Sequence, residues 1–400
     1  MIFCTAMALA LMAGAARPVD AGAAGTCGTC HPDVRVQFER SVHAGEGASC
    51  ADCHGGNPGT LEVAAAHGGR FNGRPPRRDI PLLCASCHAD VARMRPYNLP
   101  TDQYALYQTS RHGQRLAAGD TRVAVCTDCH GVHEIRSPGD PASRVARRNI
   151  PQTCGRCHGD RGLMERYGKK GDPYADYLQS VHAVALLEGG NPRAAECSSC
   201  HGVHGAAPPG VGDVHRVCGH CHEPARRHFV AGPHRAALSA AGLPECAACH
   251  GNHAIVRFGD QPLERVCATC HAADGPETDL GGKMQALYTG AREEISRASG
   301  LVTQAAQVPL DVEDYEARLE EAKTYLMEAL PATHSLSLDE VERFTVRARS
   351  IGEEVAAEIH EKFSNLRMRR LGLAVFWFYV LLTVAFLVGR RRRWRRESPP

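Results

Sequence analysis

Three stretches late in the chain carry apolar residues at helical spacing with charged residues between them: MQALYTGAREEISRASGLVTQAA, DVEDYEARLEEAKTYLMEAL and LDEVERFTVRARSIGEEVAAEIHEKFSNL. That period predicts amphipathic helices. Pro309 and the segment from Pro331 to Ser335 mark the breaks, so two or three long antiparallel helices are expected over 276–369. The 18 residues from Leu371 to Val388 then carry no charge, close to the length that crosses a bilayer. Six arginines follow between Arg390 and Arg396, against three just upstream at Arg367, Arg369 and Arg370. The positive-inside tendency predicts a transmembrane helix over 370–389, a cytoplasmic basic tail over 390–400, and everything earlier outside the inner membrane.

Before residue 276 the pattern changes. Long amphipathic runs are few, while Gly and Pro are frequent, at 40 and 24 of the 400 residues. Short helices joined by extensive loops, with little sheet, are expected there. Residues 1–24 read as a signal peptide, with an apolar stretch and small-residue cleavage options near Ala16 or Ala23, although no basic residue precedes Arg17. The fold class is therefore mainly α with extensive loops, followed by a helical segment and a single transmembrane helix.

Cysteine changes the picture. Of 19 cysteines, 18 fall into nine CxxC pairs: Cys27 and Cys30, Cys50 and Cys53, Cys84 and Cys87, Cys126 and Cys129, Cys154 and Cys157, Cys197 and Cys200, Cys218 and Cys221, Cys246 and Cys249, and Cys267 and Cys270. Histidine follows each pair directly, at His31, His54, His88, His130, His158, His201, His222, His250 and His271. Disulfide frameworks, zinc knuckles and thioredoxin-like motifs do not demand that histidine. CxxCH is the attachment signature of c-type haem, in which both thiols add across the vinyl groups and the imidazole reaches the iron. Nine covalent haems c are expected over 25–275. So dense a set leaves porphyrin to supply much of the apolar interior. Haem attachment outside the cytoplasmic membrane agrees with the signal peptide and with the membrane topology.

The motifs form a repeat. Each unit runs CxxCH, a linker, Ser-x-His or its equivalent, a second linker, then CxxCH followed by another histidine. The units open at Cys27, Cys84, Cys154 and Cys218, and a fifth, at Cys267, stays incomplete. The repeat singles out His43, His67, His112, His133, His182, His204, His234 and His253 as distal ligands, making bis-histidine, low-spin iron without an open coordination position. The ninth distal ligand is left open among His215, His228, His334, His360 or none, while His220 lies inside its own CxxC loop. In CHGVH, the second histidine is too close in sequence to ligate the iron held by the first. Opposite axial Cα atoms lie roughly 12 Å apart, and three residues reach only about 10–11 Å. His133, His204 and His253 are thus expected to serve a different haem. Met94 and Met164, six places after a motif histidine, read as packing residues.

Arginine outnumbers lysine 41 to 5, and the formal charge is +2 before haem propionates are counted. The loaded protein is more acidic than that, and a nucleic-acid surface is not supported.

At these motifs the chain resembles multihaem c-type cytochromes of anaerobic respiration, notably bis-histidine class III-like cytochromes with CxxCHGxH motifs. The resemblance covers about 27–271. It implies closely stacked haems that pass electrons between a quinol-linked membrane partner and periplasmic or outer-membrane acceptors. On that reading the chain is a redox-partner protein rather than a substrate-converting enzyme. The alternative is a nitrite, hydroxylamine or tetrathionate reductase with one open haem. Pentahaem nitrite reductases commonly mark that haem with CxxCK, which does not occur here.

Overall fold

The computed structural model describes residues 25–257 and 262–397, with side chains to Trp394. The expected signal peptide and the last tail residues lie outside the described residues. Within them the chain is helical and loop-rich, without a strand.

Each attachment motif forms or adjoins a short helix, such as Cys50–His54, Cys126–His130, Cys197–His201 and Cys246–His250. Residues at i, i+3 and i+4 share one helix face. One turn of helix therefore presents both cysteines and the histidine of CxxCH to one side. Two motifs close longer helices, α1 (Ile80–His88) and α2 (Ile150–His158). Pro81 and Pro151 stand at their starts, where a missing N–H costs nothing. The recurring RRDIP and RRNIP strings are the 3₁₀ turns Arg77–Asp79 and Arg147–Asn149 plus these helix starts.

The chain divides into two compact units. The first extends to Gly210 and includes Gly251–Val256; the second comprises Val211–His250 and the chain from Arg257 onward. The haem region expected over 25–275 is thus shared, and its last three motifs group with the C-terminal helices. One reason is the close seating of the final motif: a Cβ on Gly281 would stand 2.9 Å from Cys267 Sγ.

Three helices dominate the second unit: α3 (Pro276–Ala305), α4 (Glu313–Ala332) and α5 (Leu338–Glu397). Their buried seam is rich in alanine, with Ala298, Ala305, Ala322 and Ala348 fully enclosed beside Ile295, Leu319, Ile351 and Ile359. Small side chains allow close axial approach, and the branched residues fill the spaces between. Arg318 bridges α4 to Glu354 and Glu358 of α5 at 3.1 and 2.8 Å.

Two details depart from the sequence expectation. The chain turns at Leu336, in the left-handed region at φ 55°, while Pro331 is accommodated in the last turn of α4. The bundle helix and the apolar segment form one continuous 60-residue helix, α5, about 90 Å long. No Gly or Pro interrupts it between Ala356 and Leu371, and Lys, Leu, Arg and Met there favour helix. The apolar segment is an exposed sleeve: Phe376, Tyr379 and Phe386 are 56, 69 and 68% accessible. Its mean hydropathy of 2.5, with no burial, makes α5 long and apolar enough to cross a membrane.

Candidate functional site

The histidines of the repeat come together in pairs. Ring centroids lie 6.2 Å apart for His31 and His67, 5.9 Å for His43 and His88, and 6.2 Å for His54 and His133. They are 6.1 Å apart for His112 and His158, 6.2 Å for His130 and His204, and 6.0 Å for His201 and His253. In the second unit His234 faces His271 at 6.0 Å and His250 faces His334 at 6.1 Å.

This spacing tests the fit to haem. Two Fe–N bonds of about 2 Å, plus about 1.1 Å from each ring nitrogen to its centroid, put opposed axial imidazoles roughly 6 Å apart. Bare imidazoles in van der Waals contact would sit closer, because protein interiors do not hold open slots. The residues fit the group.

Hydrogen bonds set the tautomers. Nδ1 of His54, His67, His201 and His334 lies 2.8, 2.9, 3.2 and 3.0 Å from the carbonyls of Asn72, Val63, Ala207 and Pro331. A carbonyl only accepts, so each Nδ1 donates and each Nε2 keeps its lone pair for a metal. Burial pushes His43, His112, His130 and His158 below the ordinary imidazole value, which keeps them neutral, as ligation requires.

The pairing follows the repeat with a shift of one unit. A Ser-x-His histidine faces the opening motif of the next unit, as in His43 with His88 and His112 with His158. A closing-motif histidine faces the last histidine of the next unit, as in His54 with His133, His130 with His204 and His201 with His253. The first opening histidine, His31, is instead met by a histidine of its own unit, His67.

Local structure explains the motifs. In CHG the glycine ends the motif helix at positive φ, 68° at Gly55, 89° at Gly131, 82° at Gly202 and 77° at Gly251. With ψ near 180° at Gly131, that backbone is all but closed to other residues. Past the turn the next histidine faces a different motif histidine, as His133 faces His54. In Ser-x-His the serine is a buried N-cap. Ser41 accepts from the His43 N–H, Ser110 from Gly113 and Ser180 from Ala183, at 3.1, 3.0 and 3.1 Å. The residue after each serine clasps the next unit. Val42, Arg111 and Val181 donate backbone N–H bonds to the carbonyls of Ile135, Ala206 and Ile255, two places beyond His133, His204 and His253. Each clasp holds the Ser-x-His histidine of one repeat in register with the last histidine of the next.

Ser110→Ala is accordingly expected to cost about 1–2 kcal/mol, since it orphans the Gly113 N–H and removes the bond to the Tyr107 carbonyl. Thermal unfolding of the loaded protein should show a midpoint lower by several degrees, largely restored in Ser110→Thr. An unchanged midpoint would dismiss the capping role.

Attachment sites also meet in order. Cys84 hydrogen-bonds Cys126, Cys154 bonds Cys197, and Cys218 bonds Cys246; in each pair this bond is the main reason that the first thiol is raised. Cys50 likewise bonds Cys27, although burial is the larger cause of its rise. Cys53 senses Cys87, Cys129 senses Cys157, and Cys249 senses Cys270. First cysteines thus adjoin within a repeat and second cysteines between repeats.

Sequence reading missed the supports. Arg77 holds the loop before the Cys126 motif, bonding the Val123 carbonyl and, at 2.6 Å, Asp128. Arg147 does the same through the Ala194 carbonyl and Ser199. Tyr107 and Tyr177 donate to the carbonyls of Ala124 and Ala195, each two places before a closing motif. Their signal was the recurring aromatic three places before each serine, where Phe38 stands in the first repeat.

The remaining histidines separate clearly. His215 is buried, with its ring Nδ1 2.8 Å from Glu245, whose other oxygen faces Arg235 at 3.6 Å; this is a clamp between helix starts. His220 and His360 are exposed, and His228 lies on the helix Glu223–Ala231. His182 sits on the Ser180-capped helix and His222 at the start of the Glu223–Ala231 helix. Met94 and Met164 are buried. None of the described cysteines forms a disulfide, and no described group of three His, Cys, Asp or Glu side chains converges as a bare-metal site would need.

Residues 42–159 match the family model described as cytochrome c3. The match covers less than a third of the chain and supports a multihaem c-type cytochrome. That family implies covalently bound haem c as cofactor, electron transfer as chemistry and other redox proteins as partners. The matched stretch holds four CxxCH motifs and the pairs His43–His88, His54–His133 and His112–His158. No curated protein and no solved structure matches the chain.

Proposed function

We propose that this cytochrome carries nine haems c, one at each CxxCH, and is anchored by α5 in the inner membrane with its haem region in the periplasm. It passes single electrons between a quinol-linked membrane partner and periplasmic or outer-membrane acceptors in anaerobic respiration. The observation that carries the reading is the set of paired histidine rings at one common spacing of 5.9–6.2 Å. When bound, haem supplies one-electron iron chemistry. The protein's part is to saturate each iron with two imidazoles, which excludes substrate, and to hold attachment sites side by side along the chain. CHGxH does both, because one histidine belongs to its own haem and the next to a neighbour. The exposed apolar sleeve of α5, flanked by arginines, supports the anchor.

The reductase alternative needs an open iron. His234 opposite His271 and His334 opposite His250 argue against one at those two sites.

Intact-mass measurement of the purified protein should show nine haem additions, and low-temperature electron paramagnetic resonance should show low-spin iron. High-spin iron together with substantial turnover of nitrite, hydroxylamine or tetrathionate would overturn the electron-carrier reading.

A further inference from the structure

Resting on the bis-histidine reading above, we propose that His334, carried by the turn between α4 and α5, is the distal ligand of the haem attached at Cys246, Cys249 and His250. The helical bundle thereby supplies the ligand that the unfinished fifth repeat lacks. In the first three units each closing-motif histidine is met from the following unit: His54 by His133, His130 by His204, His201 by His253. His250 would require a last histidine from the fifth unit, which has no second CxxCH. His334 occupies that place at 6.1 Å, with the two rings inclined by 17°.

Three independent features build the site. Nδ1 of His334 donates to the Pro331 carbonyl at 3.0 Å, leaving Nε2 for metal, as in His54 and His67. The 3₁₀ turn Thr333–Ser335 and the left-handed Leu336 at φ 55° hold the ring on a tight tip rather than on a long loop. Beneath it Ala332 is fully buried with Met284 and Val341, so the tip stands on core.

The third feature is the way the tip docks. In earlier repeats the residue after the serine donates its N–H to a carbonyl just beyond the next unit's last histidine. In the fourth repeat that residue is Pro233, which has no N–H, and the serine is replaced by Gly232. A Cβ on Gly232 would meet the carbonyl oxygens of His334 and Ser335 at 2.9 and 3.0 Å. The hairpin tip therefore lies against the backbone at the equivalent point, and glycine is what admits it. Close packing replaces the hydrogen-bonded clasp.

The consequence is mechanical as well as electronic. α5 begins at Leu338, directly after this tip, and continues into the apolar sleeve. An iron–imidazole bond would tie the bundle, and through it the sleeve, to one particular haem.

The test uses the full-length, haem-loaded protein and its His334→Gly variant. Covalent haem content should stay the same by mass. One additional haem per chain should become high-spin and bind carbon monoxide, and added imidazole should restore the low-spin signal by filling the vacated space. His360→Gly should change nothing. Unchanged spin state and carbon monoxide binding in His334→Gly would overturn the assignment. Should that variant not accumulate, His334→Met keeps a ligand and much of the volume, and it should raise the midpoint potential of one haem. Unshifted potentials would count equally against the proposal. Failure of the broader reading shows separately, as absence of covalent haem or of low-spin iron in the parent protein.

Discussion

Replacing His133 with alanine is expected to leave the number of covalent haems unchanged and to convert one low-spin iron to high spin. The two halves of that result come from the two jobs within CTDCHGVH. On the proposed reading Cys126, Cys129 and His130 hold their own haem, and the change leaves them untouched. The His133 ring faces His54, not His130, at 6.2 Å. The haem attached at Cys50 and Cys53 would lose its distal ligand. Carbon monoxide titration should then find one more binding haem per chain, and the midpoint potential of one haem should move upward as an imidazole is removed. Its route to neighbouring haems should slow, because a changed potential and a ligand change on reduction both impede single-electron passage. A His130→Ala variant gives the contrast, since it removes a proximal ligand and should compromise attachment at its own site. If His133→Ala bound no more carbon monoxide than the parent, the idea that CHGxH serves two haems would be lost.

Val380→Arg should release the protein from the membrane. Val380 lies near the middle of the uncharged segment from Leu371 to Val388. A charge at that depth costs about 2.5–3.5 kcal/mol in translocon-mediated insertion, roughly a hundredfold in the insertion equilibrium. No described part of this chain covers the sleeve there: Leu381, Leu382 and Phe378 are 65, 54 and 65% accessible. Alkaline carbonate extraction should leave the parent in the pellet and shift much of the variant to the supernatant. Parent protein that is itself extracted by carbonate would mean that α5 docks on a partner instead of spanning a bilayer. Bundle stability should be little affected, because its core ends near Ile359 and Phe363.

Much of the site was legible along the chain, for a specific reason. Haem attachment is written in five consecutive residues because a single helical turn gathers i, i+3 and i+4, so Cys126, Cys129 and His130 are local chemistry. The periodic segments from Lys283 onward were legible in the same way, as was the uncharged stretch that follows them. Reach alone barred His133 from its own iron, so even the existence of a cross-link could be read. Its destination could not. Nothing in the neighbourhood of His133 says His54 rather than His88, and both distances in sequence are equally silent.

Supports were harder still. Ser110 reads as part of Ser-x-His, which invites a chemical role, yet its hydroxyl caps a helix and aims His112. His215 reads as a spare ligand, yet Glu245 holds its Nδ1 at 2.8 Å and makes it a clamp. His334 looked no different from His360, since both lie in helical sequence without a motif around them. One is carried by the α4–α5 turn to face His250, and the other lies on the exposed side of α5.

By itself, then, the sequence determined the cofactor class, the helical composition, the repeat and the apolar segment, because each depends on residues within a turn or two of one another. Only the tertiary structure decided which imidazole opposes which, that each repeat is completed by the next, and that the bundle stands where a fifth repeat would end. Those outcomes depend on surfaces built from distant segments: the clasp from Val42 to Ile135, the seat at Gly232, and an α5 that runs on without a break.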